Sequence, residues 1–310
     1  MKKKLKRILR YLNKYKWRYL FCLMAIIWFT IFCYIPMFGI ILSVKDYSFA
    51  GGIFKSEFAD PWYKWFDLFF TNPDFTTMLW NTVKISLLKL VTGFPAPLLL
   101  ALALNEIKHP KFKKFVQSVS YLPFFVSWVI VSTMLNQLLT PYNGGGPLNT
   151  IFQLFNGGEA KYYMGDGDSF YPIIILTNIW KGIGWNSIIY LAAMSSINPE
   201  LYESAALDGA NRFQCMRYIT IPALSTTIGL LFILTLGSIS SAGYDQIYVF
   251  MHPGNYDYSN ILDTYVIESG LNKGRYEIAT VANLFQSVIS FAIICIGNSV
   301  MRKKTGVSLW

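Results

Sequence analysis

The sequence predicts an all-α polytopic membrane protein with six transmembrane helices and both termini in the cytoplasm. Three observations carry that expectation. Of the 310 residues, 54% are hydrophobic and only 14% charged, and the apolar residues gather into runs longer than a soluble core uses. A helix rising about 1.5 Å per residue needs roughly 20 apolar residues to cross about 30 Å of hydrocarbon. Six runs meet that length, at 17–44, 76–105, 116–139, 171–197, 222–250 and 279–301. Positive charge sorts the connections: nine Lys and Arg lie in the tail up to Arg18, four in 106–115, two in 198–221 and three in the C-terminal tail, against six in the alternate connections. Flanking lysine and arginine are held on the cytoplasmic side, which places both ends there. The net charge of +10 is then topology signal and attraction to anionic headgroups. No soluble basic domain is present to make it a nucleic-acid signal.

The elements follow in order. Residues 1–16 form a basic segment in which Leu5, Ile8, Leu9, Leu12 and Tyr15 recur at helical spacing, as in a surface-lying amphipathic helix. Residues 17–75 hold the first span and an aromatic extracytoplasmic loop. That span ends in Pro36-Met37-Phe38-Gly39 without a small-residue cleavage pattern, so it reads as an uncleaved anchor. Its loop carries Phe54, Phe58, Trp62, Tyr63, Trp65, Phe66, Phe69 and Phe70, which suit a membrane-water boundary and could equally stack on sugar faces. The core runs over 76–301, and 302–310 is a cytoplasmic tail.

Within the core, Lys84 and Lys89 lie toward the outer end of the second span, where long stems can snorkel to the headgroups. Lys181 lies deep in the fourth span among Asn178, Trp180, Gly182, Gly184, Trp185 and Asn186, where a lysine is costly unless it meets a partner or water. Pro36, Pro95, Pro97 and Pro123 predict kinks. Residues 141–170, rich in Gly, Asn and Asp, read as surface loops.

The chain contains no Gly-Lys dipeptide, so the phosphate-cradling loop of an ATPase is missing. Its histidines are His109 and His252, which leaves no intramembrane Ser-His pair. Cys22, Cys33, Cys215 and Cys295 show neither metal-ligand nor CxxC spacing, and no acidic cluster suggests a metal. An enzyme is not expected. The spans hold almost no carboxylates of the kind that ion-coupled transporters use.

Between the fourth and fifth spans lies Glu203-Ser204-Ala205-Ala206-Leu207-Asp208-Gly209-Ala210, followed by Ile219-Thr220-Ile221-Pro222. Pro199 permits a first helical turn, Glu200 and Glu203 favour a helix N-terminus, and Gly209 offers a turn before a second helix marked by Arg212 and Arg217. Spacing alone fits an ordinary amphipathic connection as well as a docking hairpin.

The run resembles the Glu-Ala-Ala loop of binding-protein-dependent ABC importer permeases. Glu203, Ala205, Ala206, Asp208, Gly209, Ile219 and Pro222 match, while Ser204 and Ile221 replace the usual alanine and leucine. Asn81-Thr82, Leu104-Asn105-Glu106, the run from Gln117 to Pro123, the run from Trp180 to Trp185 and the run from Pro199 to Glu203 are similar to the carbohydrate-importing branch, particularly permeases for polysaccharide or complex oligosaccharide uptake. Phe124 departs from it, standing where a histidine is expected.

The resemblance implies the type I ABC importer transmembrane fold in a bacterial cytoplasmic membrane, with the loop 199–222 as coupling element and its 203–218 hairpin docked on an ATPase. It implies as partners a second homologous permease, two cytoplasmic ATPase subunits that bind the ATP and Mg, an extracytoplasmic solute-binding protein and a sugar, with no cofactor in this chain. On that expectation the substrate path is sought among Trp180, Lys181, Trp185 and Asn186 of the fourth span and Tyr244, Asp245 and Gln246 near the outer end of the fifth. Rings stack on sugar faces, and amides and carboxylates take hydroxyls. Import of a peptide or amino acid by the same architecture, or a passive channel, are the alternatives.

Overall fold

The computed structural model describes residues 11, 13–142, 145–155, 158–306 and 308–309. Most of the basic N-terminal segment, including Leu5, Ile8, Leu9 and Leu12, lies outside the described residues. The chain divides into two compact units, Met1–Thr71 with Ser269–Leu284, and Asn72–Glu268 with Phe285–Trp310.

In the first unit, helix α1 runs Lys16–Val44 and buries nothing over its apolar window. Apolar side chains on every face suit lipid rather than a protein core. Its turn Thr30–Tyr34 is π-helical and stands directly before Pro36. A proline lacks the N–H and crowds the carbonyl four residues back, and a widened turn accommodates both.

The loop after α1 contains a small antiparallel pair, β1 (Lys45–Asp46) with β2 (Glu57–Phe58), around the short helix α2 (Gly52–Lys55). The all-α expectation did not include it. Lys45 holds the loop closed, its Nζ donating to the carbonyls of Ile53 at 2.9 Å and Phe54 at 3.0 Å. Helix α3 (Lys64–Phe70) is tied back by the Trp65 indole donating to the Lys45 carbonyl at 2.9 Å and by Lys64 on Asp46 at 2.9 Å. The Tyr47 amide donates to Glu277 at 2.8 Å, joining the two segments of this unit.

The second unit begins with α4 (Phe75–Asn105), as expected for the second span. The third expected span is not one helix: α5 (Pro110–Phe125) and α6 (Trp128–Leu139) meet at 98°. Pro123 lies in a 3-10 turn, and extended Val126 and Ser127 follow, so the helical hydrogen bonds cannot run through. Ser127 then caps α6 by accepting from the Ile130 amide at 3.3 Å.

The connection 141–170 is also more ordered than a surface loop, with α7 (Pro147–Gln153) in it. Buried Asn149 pins it by donating to the carbonyls of Leu139 at 2.6 Å and Lys161 at 2.7 Å. Lys161 and Asp166 pair at 2.7 Å. Partial burial raises the Asp166 carboxyl, but bonds from Lys161 and Ser169 outweigh it and hold the group below the ordinary carboxylate range.

Helix α8 (Gly167–Ser195) has 29 residues, enough to cross a bilayer. Asn178, Lys181, Asn186 and three glycines make it less apolar than the other spans. Then come α9 (Pro199–Leu207) and α10 (Arg212–Ala223), which meets α11 (Ser225–Leu236) at 61°. The fifth expected span, 222–250, is therefore divided: α10 runs through Pro222 and ends at Ala223, α11 stops at Leu236, an irregular segment follows, and α12 (Tyr244–Phe250) is separate. Short α13 (Tyr256–Ser259) and α14 (Leu262–Ile267) precede α15 (Tyr276–Thr305).

By length and apolarity, three helices among the described residues could cross a membrane, or five if each bent pair is one span. Two apolar clusters hold the second unit, one of Ile85, Val131, Phe170, Ile174, Ile247, Phe250 and neighbours, the other of Ala101, Leu102, Tyr190, Met194 and Leu224. Asn81 and Thr82 of α4 lock the segment 257–262, Asn81 donating to the carbonyls of Asp257 at 2.7 Å and Asn260 at 3.0 Å, and Thr82 accepting from the Leu262 amide at 3.0 Å.

Gly184 lets α8 approach α5 so closely that a Cβ there would overlap the Ser120 carbonyl. Because that obstacle is backbone, Gly184→Ala should destabilise the protein by about 1–3 kcal/mol, read as a lower thermal midpoint in detergent. An unchanged midpoint would contradict the close approach.

Candidate functional site

The loop singled out in the sequence forms two short helices joined by a defined turn. Asn198 caps α9, accepting from the Glu200 amide at 3.1 Å. At the other end Gly209 has φ +77, where a side chain would be strained. The Gly209 amide bonds the Ala206 carbonyl at 3.1 Å and the Ala210 amide bonds Ala205 at 2.9 Å. That pair is a Schellman motif with Asp208 as C-cap. Asn211 and Gln214 then cap α10 reciprocally, at 2.9 and 2.7 Å.

The hairpin is strapped to its own unit at two points. The Tyr202 and Thr220 hydroxyls bond at 2.8 Å, and Arg212 of α10 meets Glu106 beyond α4 at 3.5 Å. A cavity of about 330 Å³ lies between them, lined by Asn105, Glu106, Tyr202, Ala206, Arg212 and Thr220 among others. Glu203 and Asp208 are exposed, as is Pro222, and Ile219 is half-buried in the π-helical turn Met216–Thr220 that stands before Pro222. Leu207, at the tip of α9, is 91% exposed, and Leu201 of α9 and Phe213 of α10 are also exposed.

A second site lies inside the unit. A cavity of about 410 Å³ is walled by α4, α8, α11 and the irregular segment after it, with Ser86, Lys89, Asn178, Asn186, Ser238 and Ser241 as its chief polar lining. Irregular backbone at membrane depth is tolerated where it lines such a cavity. Lys89 points inward and its Nζ donates to the Ala242 carbonyl at 2.6 Å. The expected snorkelling of Lys89 is thus corrected: the carbonyl freed by the break needs a donor, and Lys89 supplies it. Lys84 lies over the Tyr171 ring at 4.0 Å.

Of the seven substrate-path candidates, Asn186 alone lines this cavity. Lys181 reaches instead to the break between α5 and α6, donating to the carbonyls of Phe124 at 2.6 Å and Val126 at 2.5 Å. Trp185 stacks on Phe124 at 4.6 Å with the rings 6° from parallel, so Phe124 serves as a packing platform there. Trp180 is half exposed. Tyr244 stacks on Tyr248 at 5.1 Å, Asp245 is exposed, and buried Gln246 donates to the Ile174 carbonyl at 2.8 Å and to Thr177 at 2.9 Å.

Lys89, Ser86, Asn178, Ser238 and Ser241 were missed as cavity residues. The signal was present in the serine-rich run from Gly237 to Gly243, opposite a lysine inside an apolar span.

Comparison with known proteins places this geometry. Residues 93–301 match the family described as the binding-protein-dependent transport system inner membrane component. Protein LplB of Bacillus subtilis strain 168 is 38% identical over 94% of this chain and 90% of its own length. The polygalacturonan/rhamnogalacturonan transport system permease protein YteP of the same strain is 39% identical over 97% and 92%. Among solved structures, a bacterial ABC transporter involved in the import of the acidic polysaccharide alginate superposes with TM-score 0.86 at 36% identity, covering 96% of this chain and 99% of that one. The alginate transporter in complex with an alginate pentasaccharide-bound periplasmic protein gives 0.87, again at 36%, covering 98% and 100%. With the family match covering well over half of its length, this chain belongs to the binding-protein-dependent transport system inner membrane components, and its fold is that of an ABC importer permease.

Proposed function

We propose that this chain is one permease subunit of an ATP-driven importer that carries an oligosaccharide or polysaccharide fragment across the bacterial cytoplasmic membrane. It pairs with a second, homologous permease and receives cargo from an extracytoplasmic solute-binding protein. Two separate ATPase subunits, which bind ATP and Mg, sit at its inner face. Six spans with both termini cytoplasmic follow if α8 and the two bent pairs join the three long helices, an arrangement that also agrees with the distribution of lysine and arginine.

The observation that carries the reading is the uncovered apolar tip of a rigid hairpin. Leu207 at 91% exposure is held out by a Schellman turn whose geometry only glycine meets easily, and nothing among the described residues of its own unit covers it. A groove on an ATPase gives it a place to go. When ATP binding draws the ATPases together, the hairpin moves with them, and the Tyr202 to Thr220 and Arg212 to Glu106 straps pass the motion to α10 and the end of α4. The cavity around Lys89, Asn178 and Asn186 then lies on the sugar path, its amides and hydroxyls suited to ring hydroxyls.

Gly209→Pro cannot hold φ +77, so the variant should reach the membrane yet lose uptake by at least tenfold in a strain lacking the native gene. Normal uptake would contradict the coupling role. Leu207→Asp should abolish co-purification of the ATPases while leaving the permease pair together. Retention of the ATPases at wild-type stoichiometry would show that the tip does not dock.

A further inference from the structure

Lys89 lies in α4 with its ammonium unpaired: among the described residues, no carboxylate stands within ion-pair distance of it. Its bond to the Ala242 carbonyl uses one of three donors. Asp263, the acid whose field it feels, is occupied by Ser241 at 2.8 Å and Gln286 at 3.0 Å. Lys89 itself lines a cavity of about 410 Å³ whose lining contains no acidic residue.

A buried cation whose one nearby acid is already engaged costs free energy in apolar surroundings. The rest of the wall is polar and neutral, with Asn178, Asn186, Ser238 and Ser241 in it. The set is a cation beside neutral amides and hydroxyls, in a volume typical of ligand pockets. Neutral sugar needs the second part only; an oxyanion on the sugar uses the first.

Resting on the importer function proposed above, we infer that this cavity is an acidic-sugar subsite, with Lys89 as the contact to an oxyanion, and that the carried carbohydrate is anionic. A uronate carboxylate and a sulfate ester present the same chemistry to a lysine. Lys89 has two roles in this arrangement: one hydrogen holds the break in place and the others receive cargo, so the site is built where the backbone already requires a cation.

The test uses the complete transporter, with its ATPases and binding protein, in proteoliposomes. Uptake of trigalacturonate is compared with uptake of its uncharged methyl ester for the wild type, Lys89→Gln, Lys89→Arg and Asn186→Asp. The binding protein is common to all, so its own preference cancels between variants. A sulfated trigalactoside beside its unsulfated parent tells a sulfate cargo from a carboxylate one.

Lys89→Gln and Asn186→Asp are expected to lower the acid-to-neutral ratio by about tenfold or more, the scale of one charge-assisted hydrogen bond, and Lys89→Arg to keep it. Asn186→Asp is isosteric and leaves the bond to Ala242 in place, so it decides the matter if Lys89→Gln does not assemble. An unchanged ratio in the variants, or a wild type that carries neutral sugars alone, overturns the inference while the importer function stands. A wild type that couples no sugar uptake to ATP overturns both.

Discussion

Where a spanning helix is interrupted, its freed carbonyls need a donor, and at two of the interruptions in this protein lysine provides it. At the break between α5 and α6, Lys181 takes the carbonyls of Phe124 and Val126. At the break after α11, Lys89 takes that of Ala242. Each unmet carbonyl in apolar surroundings costs several kcal/mol, and each buried ammonium costs more unless it is bonded. Placed together, each offsets part of the other. That pairing allows the second unit to contain a 98° bend and a polar cavity within helices otherwise built for a bilayer.

The same pairing organises the aromatic residues. Lys181 lies over the Phe124 and Trp128 rings at 5.4 and 5.3 Å, and Trp185 stacks on Phe124. Trp185 of α8 thereby covers the joint where Lys181 fastens α5 to α6. Close approach at Gly184 makes this possible. On the function proposed above, the hairpin and the cavity are connected through helices with defined joints, which suits movement between two discrete shapes.

Much of this was legible in the sequence. Long apolar runs located α1, α4, α8 and α15 to within a few residues, and the run from Glu203 to Gly209 marked the hairpin because its chemistry is local: a cap, a Schellman glycine and a second cap. What escaped was non-local. Pro123 marked a kink in 116–139, but hydropathy averages over a bend, so neither its size nor the division of 222–250 left a trace there. Lys89 looked able to snorkel because nothing near it in sequence reveals that Ala242, far along the chain, would present a bare carbonyl. Lys45 likewise reads as a loop charge until the chain folds back to offer Ile53 and Phe54. In each case the deciding partner is a backbone atom, which no residue pattern displays.

The claim that lysines hold these breaks is tested most directly by thermal unfolding of the purified protein carrying Lys181→Met, set against Lys84→Met. Lys84 is also a lysine within a long apolar helix, but its contact is the Tyr171 ring, whose attraction is worth about 0.5–2 kcal/mol. Loss of Lys181 removes the donor of two carbonyls and opens the joint between α5 and α6, and the part-buried Val126 carbonyl alone costs about 1–3 kcal/mol when unmet, so its midpoint should fall below that of Lys84→Met. Equal midpoints, or none lowered by Lys181→Met, would contradict the account.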